Sequence, residues 1–421
     1  SMKIAFITSG VLPVPSIHGG AVETLLDALA KENEKSKNLL SFTFYTIGDS
    51  KTKAYINQQE LTKTKYEILK IPLLIKNIDK GIFFFFNDIL HYNQAKKFRF
   101  TFQRLYFIWR CHQKIKRRKE YDKVIIVNHP TLLNSIKRTD YLSKNKIIYY
   151  AHNDVKFSDS NLKLFKKCAQ IISVSDYLNE SLKKEAHIEK DSNKFCVVKN
   201  GIDLELFYPY SENRKNVLRE QFGYSSTDIL ILFAGRLVPE KGIHYIVKAV
   251  NELSEKNKNI KLIAVGANSF NLKVQTNFEK QLIESVKGKK NILFTGFISN
   301  SNLPDYYNMA DIVVLPSVWE EPAGLTMIEA LACGKPLITT NAGGISEYVA
   351  GSGAIQLNPK NSDFYVQLKN TLLSLIENDI TRKELEKISL TKISTLSYKE
   401  FYKNFCKKIQ GESYNEARKL Q

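Results

Sequence analysis

Long apolar runs are missing from this chain. Nowhere do about 18 apolar residues follow one another, which excludes a membrane-spanning helix of ordinary length. Cysteine is scarce. The five, Cys111, Cys168, Cys196, Cys333 and Cys406, form neither the CxxC pairs of a zinc site nor the dense spacing of a secreted disulfide scaffold, so reduced and mostly buried thiols are expected. Negative charge is in short supply: 43 Asp or Glu face 62 Lys or Arg, for a net charge of +19 and a pI near 9.4. That balance predicts attraction to phosphorylated small molecules, anionic lipid or nucleic acid, without choosing among them. Long repeats and low-complexity tracts are also absent. At the N-terminus the apolar run IAFI is too short for a signal sequence, and Ser1 ahead of Met2 reads as a residue left over from expression. Together these features predict a cytoplasmic protein, with contact to a membrane surface left open.

What is present is a soluble globular composition, 43% hydrophobic and 25% charged, over 421 residues, a length that favours two domains. Lys3 to Ser9 is a β-branched and aromatic run, followed by the loop VLPVPSIHGG and the amphipathic stretch AVETLLDALAKENEK, a strand–loop–helix pattern. SFTFYTIG, KVIIVNH, KIIYYAH and AQIISVS repeat the strand signal. After the punctuated segment NGIDLELFYPYSENRK a second series follows: ILILFAGRL, KLIAVGA, NILFTGF, DIVVLPS and KPLITTN, each separated by a helical stretch. Short apolar strands alternating with helices imply parallel sheets covered on both faces. Two doubly wound α/β halves are therefore predicted, with a linker near 200–212 and ligands beyond the carboxyl ends of the strands, in the cleft between the halves. The tail from Ser397 has helical spacing of Tyr398, Phe401, Phe405 and Ile409, a terminal helix.

Several loops could carry chemistry. Gly19 and Gly20, at a strand-to-helix junction, let backbone amides approach an anion, although the GxGxxG dinucleotide pattern is absent and a purely structural turn is an equal reading. In FAGRLVPEKG, Arg236 offers a planar fork of donors for phosphate and Lys241 a point charge at the start of the next helix; a solvated surface pair is the bland alternative. WEEPAGLTMIEA holds Glu320, Glu321 and Glu329 around one glycine turn, where Glu320 reads equally well as an ordinary acidic residue at a helix start. The amides of Ala323, Gly324 and Leu325 beside them would form an anion site. His129 and His152 end strands, and His152, flanked by Asn153 and Asp154, is the stronger candidate for bonding a substrate hydroxyl or moving a proton. The segment 96–119 has ten Lys or Arg, six aromatics and no acid, with Phe98, Phe102, Leu105, Trp109 and Ile115 expected mainly on one helical face. Such a helix would either lie on an anionic membrane or pack in a core with its basic face solvated.

Taken in order, the GG loop at 19–20, NGID at 200–203, GRLVPEKG at 235–242, VGA at 265–267, FTGF at 294–297 and EPAGLTMIEALACGKP resemble the retaining nucleotide-sugar-dependent glycosyltransferases of family 4, of the bacterial surface-polysaccharide or spore-coat type. The resemblance spans nearly the whole chain. It implies the GT-B fold, two Rossmann-like domains at 1–205 (acceptor side) and 206–385 (donor side), and a helical segment 386–421 packing back toward the N-terminal domain. It implies a hexosyltransferase moving a sugar from a nucleotide-diphosphate sugar, UDP-sugar ahead of GDP-sugar, to a glycan or lipid-linked acceptor in cell-surface polysaccharide synthesis. Arg236 and Lys241 would hold the donor diphosphate, with Gly20 facing it. Glu329 would accept from the ribose hydroxyls, Glu321 would lie beside the sugar, the backbone near Phe297 would meet the base, and His152 would sit near the reacting sugar. Ala323 departs from the phenylalanine frequent in the family, which alters packing more than chemistry. No Asp-x-Asp motif is present, and the family implies no obligatory cofactor or metal. A GT-B nucleotide-sugar epimerase and a non-catalytic donor-binding subunit are the alternatives; no nucleic-acid motif is visible.

Overall fold

The computed structural model describes residues 1–92, 94–266 and 276–411, so Ala267 of the VGA motif and the tail beyond Gly411 lie outside the described residues. The chain divides into two compact units: Ser1–Val198 joined by the chain from Phe401 on, and Lys199–Glu400.

The first unit contains β1 (Met2–Ile7), β2 (Leu40–Thr46), β3 (Thr64–Ile68), β4 (Lys123–Val127), β5 (Ile147–Ala151), β6 (Gln170–Ser173) and β7 (Phe195–Val197), in the order β3-β2-β1-β4-β5-β6-β7. Every pairing is parallel. Ile4, Ala5, Phe6 and Ile7 are all fully buried, as a strand with helices on both faces requires. The order reverses between β1 and β4, the place where loops at the carboxyl ends splay apart and leave room for a ligand. The helix Tyr398–Gln410 closes this unit through Phe401, Tyr402, Phe405, Cys406 and Ile409. Phe405 lies 6.1 Å from Phe6 and 6.0 Å from Tyr150, and the Tyr402 hydroxyl bonds Asn33 Oδ1 at 2.7 Å.

The second unit contains β8 (Ile229–Ala234), β9 (Ile260–Val265), β10 (Ile292–Gly296), β11 (Ile312–Leu315), β12 (Leu337–Thr340) and β13 (Ile355–Leu357), again all parallel, in the order β10-β9-β8-β11-β12-β13. Its reversal falls between β8 and β11. The two units are thus the Rossmann-like pair expected from the strand pattern. Three strands escaped that pattern, and all three are sheet edges: β3, which carries Lys65 and Glu67, and the three-residue β7 and β13. Edge strands are buried less and so need not read as apolar runs.

The basic segment folds as a 3₁₀ turn, Ala95–Phe98, and a helix, Thr101–Arg117. The expected single apolar face divides. Phe107, Cys111 and Ile115, spaced by four residues, are fully buried, whereas Phe102, Leu105 and Trp109 are 45%, 54% and 52% exposed. The four-residue period selects the stripe that meets the core and leaves the other outside.

Candidate active site

The loops that follow β8 and β11, neighbours at the reversal point of the second sheet, carry most of the expected residues. After β8 the chain makes a 3₁₀ turn, Pro239–Lys241, and enters the helix Ile243–Ser254 through Gly242. Gly242 has φ +74°, and a Cβ there would lie 2.2 Å from the Pro316 carbonyl oxygen, so only glycine lets the two loops approach this closely. The amides of Val318 and Trp319 donate to the Glu240 carbonyl at 2.9 and 3.3 Å, joining the loops by backbone.

That junction places Lys241 Nζ 2.5 Å from Glu321 Oε1, which also accepts from Ser317 Oγ at 2.9 Å. Thr340 Oγ1 in turn donates to the Ser317 carbonyl at 2.6 Å, and Gly344 N to that of Glu321 at 2.6 Å. The residues expected to hold the diphosphate and the sugar therefore bond each other in this state. Arg236 is exposed and makes no side-chain ion pair among the described residues. Its guanidinium remains available to an anion.

The helix Leu325–Ala332 starts directly after Ala323 and Gly324. The first amides of a helix have no acceptor within it, so this start presents N–H groups beside the Lys241–Glu321 pair's loop. Glu329 lies one turn inside, as its spacing predicts, and accepts from the Tyr307 hydroxyl at 2.9 Å. The residue is partly covered, and burial pushes its pKa up to about 7 against the opposing effect of the phenol. Glu320 instead pairs with Lys360 at 3.5 Å on the surface, a contact of small energetic consequence. Phe297 follows β10 and is half exposed.

In the first unit, Gly19 and Gly20 have φ of +83° and +96° and lead into the helix Ala21–Lys35. The Glu23 carboxylate, buried and accepting from Ser9 Oγ at 3.1 Å, braces the loop from beneath; a Cβ on Gly20 would fall 2.2 Å from its oxygen. Asn128, after β4, accepts from the amides of His152 and Asn153 at 2.8 and 3.0 Å. His152 is buried with its ring 4.2 Å from that of Tyr150, and its Nε2 has no partner among the described residues. Burial and then the neighbouring His129 hold its pKa down to about 3, while burial and Arg104 hold His129 down to about 4. Both are neutral imidazoles at physiological pH. His152 can bond a hydroxyl or take up a proton transiently, but it brings no standing charge.

Ser317, Tyr307 and Asn128 were not among the residues expected from sequence. Ser317 ends the DIVVLPS run and so carried a positional signal; Tyr307 comes from the helix Leu303–Met309, and nothing in its local pattern points to Glu329. Among the described residues no group of three or more His, Cys, Asp or Glu is arranged to hold a metal ion.

The two parallel-sheet units have the GT-B fold. Residues 214–390 match the family Glycosyl transferases group 1. The chain is 26% identical over 402 residues to spore coat protein SA of Bacillus subtilis (strain 168), covering 92% of this chain and 93% of that one. It is 26% identical over 301 residues to lipopolysaccharide 1,2-N-acetylglucosaminetransferase of Salmonella typhimurium, covering 70% and 73%. Its fold is similar to that of Anabaena Alr3699/HepE solved with UDP and glucose, at a TM-score of 0.68 and 20% identity over 98% of this chain and 100% of that one.

Proposed function

We propose that this protein transfers a sugar, with retention of anomeric configuration, from a nucleotide-diphosphate sugar to a glycan or lipid-linked acceptor in cell-surface polysaccharide assembly. One observation carries the reading. Lys241, Glu321, Ser317 and the amides at the start of helix Leu325–Ala332 lie together at the reversal point of the second sheet, with Arg236 on the loop after β8 making no ion pair among the described residues. The relative solved with UDP supports a UDP-sugar ahead of a GDP-sugar.

Breaking the bond from the anomeric carbon to the diphosphate concentrates negative charge on the departing oxygen, and preorganised cations and amides stabilise it there. Arg236 and Lys241 take that role. The incoming diphosphate draws Lys241 away from Glu321, which frees the carboxylate to orient sugar hydroxyls while Ser317 holds it in place. Glu329 accepts from the ribose. Gly19 and Gly20 supply further amides for the diphosphate, and His152 bonds a sugar hydroxyl as a neutral ring. The acceptor oxygen attacks from the face the leaving group vacates, and its proton passes to the departing phosphate oxygen, so no protein base is needed. The same reading places the protein in the cytoplasm, with helix Thr101–Arg117 resting on the anionic inner face of the membrane.

Calorimetric titration with UDP tests the assignment. Arg236→Ala and Lys241→Ala are each expected to weaken UDP binding by about ten- to a hundredfold, the range of a lost hydrogen bond to a charged group. Glu321→Gln should lower turnover far more than UDP affinity. Unchanged UDP binding in the first two variants would remove the diphosphate role, and product formation from the donor alone, without acceptor, would replace transfer by epimerisation.

A further inference from the structure

The first unit contains a cavity of about 270 Å³ that none of the proposed donor contacts uses. It opens at the carboxyl ends of β1, β2 and β3, between the loops that follow them and the helix Leu73–Phe84. Its wall combines apolar side chains, Leu12, Ile71 and Phe100, with three cations, Lys76, Lys80 and Arg99. Lys76 and Lys80 are one helical turn apart, so both reach the same opening. None of the three cations forms an ion pair with a described residue. Arg99 stands 4.5 Å over the Phe100 ring. The one carboxylate among the lining residues, Asp49, accepts from the Thr52 amide at 2.9 Å and lies 2.8 Å from His18 Nε2. Three cations against one carboxylate leave the wall with a net positive charge suited to an anion, and the planar arginine fork fits phosphate oxygens. The volume falls just short of the roughly 300–1,000 Å³ of clefts for drug-sized ligands, so it suits one charged group rather than a whole glycan.

We infer that this cavity binds a phosphate or diphosphate group carried by the acceptor. The inference rests on the transfer reading above, since it assigns the first unit's cavity to the second substrate. Such a group occurs on soluble sugar phosphates and on lipid-linked acceptors. The helix that supplies Lys76 and Lys80 also exposes Leu73, Leu74 and Ile78, at 75%, 70% and 42%, and this apolar face beside a phosphate site favours the lipid-linked source.

The test uses the full chain saturated with UDP, so that the donor's own diphosphate site is occupied, and three probes: inorganic pyrophosphate, glucose 1-phosphate and farnesyl diphosphate. UDP binding is measured first and by itself, so a failure of the donor reading is seen separately. Farnesyl diphosphate is expected to bind the UDP-saturated protein. Lys76→Ala/Lys80→Ala and Arg99→Ala are each expected to weaken it by about tenfold or more, with UDP affinity and melting temperature unchanged. Equal binding of the two soluble probes would support the site and assign a soluble phosphorylated acceptor. Binding of the farnesyl compound alone would support it and assign a lipid-linked one. The inference is overturned if no probe binds, if the variants bind like the parent, or if the same variants lose UDP.

Discussion

Glu321 and Glu329 belong to one short stretch of chain, yet their surroundings give them opposite behaviour. Glu321 meets an ammonium and a serine hydroxyl, two partners that an incoming ligand can replace. Glu329 accepts from a phenol in a partly covered setting, and burial pushes its pKa up to about 7. A carboxyl accepts two ribose hydroxyls well only when ionised, so this shift predicts pH-dependent donor binding. As pH falls from about 8 to about 6, Glu329 takes up a proton and UDP affinity should drop by several-fold. Glu329→Gln should bind UDP more weakly throughout and lose that dependence. Titrations of both proteins across this range check the prediction; a parent affinity flat with pH would detach Glu329 from the ribose. The stability effect has its own sign. A raised carboxyl pKa favours the folded state below the unfolded value near 4.5 and loses that contribution as pH rises toward 7.

Helix Thr101–Arg117 depends on a residue outside itself. Phe100 at its start provides no side-chain cap. Asp79, buried on helix Leu73–Phe84, accepts instead from the amides of Phe102 and Gln103 at 3.0 and 2.8 Å. A carboxylate facing the helix N-terminus satisfies two orphan donors and opposes the positive end of the dipole. The first turn then reaches onward: Gln103 Nε2 donates to the Gly10 carbonyl at 2.9 Å and Arg104 Nε to that of Ser9 at 3.3 Å. Asp79→Ala should therefore cost about 0.5–2 kcal/mol, read as a lower urea midpoint with the slope unchanged. Asp79→Asn, whose amide oxygen still accepts, should recover part of the loss. A parent-like midpoint for the alanine variant would show that water replaces the cap. This contact was invisible along the sequence, where Asp79 and Phe102 are far apart. The amphipathic period was visible, but two apolar stripes share helix Thr101–Arg117, and only the position of the sheet decides which one is buried.

At the scale of the whole molecule, the net charge of +19 is unevenly placed. Residues 73–119 contain twelve Lys or Arg and two Asp, one of them the buried Asp79. The same span exposes Leu73, Leu74, Phe84, Leu90, Leu105 and Trp109. Exposed apolar side chains among cations suit an anionic lipid surface, where acyl contact and headgroup attraction add. The protein is expected to sediment with vesicles rich in phosphatidylglycerol and to remain in solution with phosphatidylcholine alone. Leu105→Glu/Trp109→Glu should move most of it back to the supernatant, and equal recovery from both vesicle types would end the membrane assignment. No helix among the described residues is long and apolar enough to cross a bilayer.

The apolar strands alternating with helices determined a pair of doubly wound units, because a strand buried on both faces can afford few polar residues and so announces itself. The glycine turns and the cations and acids beside them marked the loops of the second unit, since backbone approach and charge placement require particular residue types at fixed offsets. Tertiary structure alone decided the partners. Lys241 meets Glu321 because β8 and β11 are neighbours in space, Tyr307 meets Glu329 because one helix packs beside another, and Lys76, Lys80 and Arg99 surround one cavity. Those encounters join residues remote in the chain, and the energies that select them arise from packing and desolvation, which act only once the chain has folded.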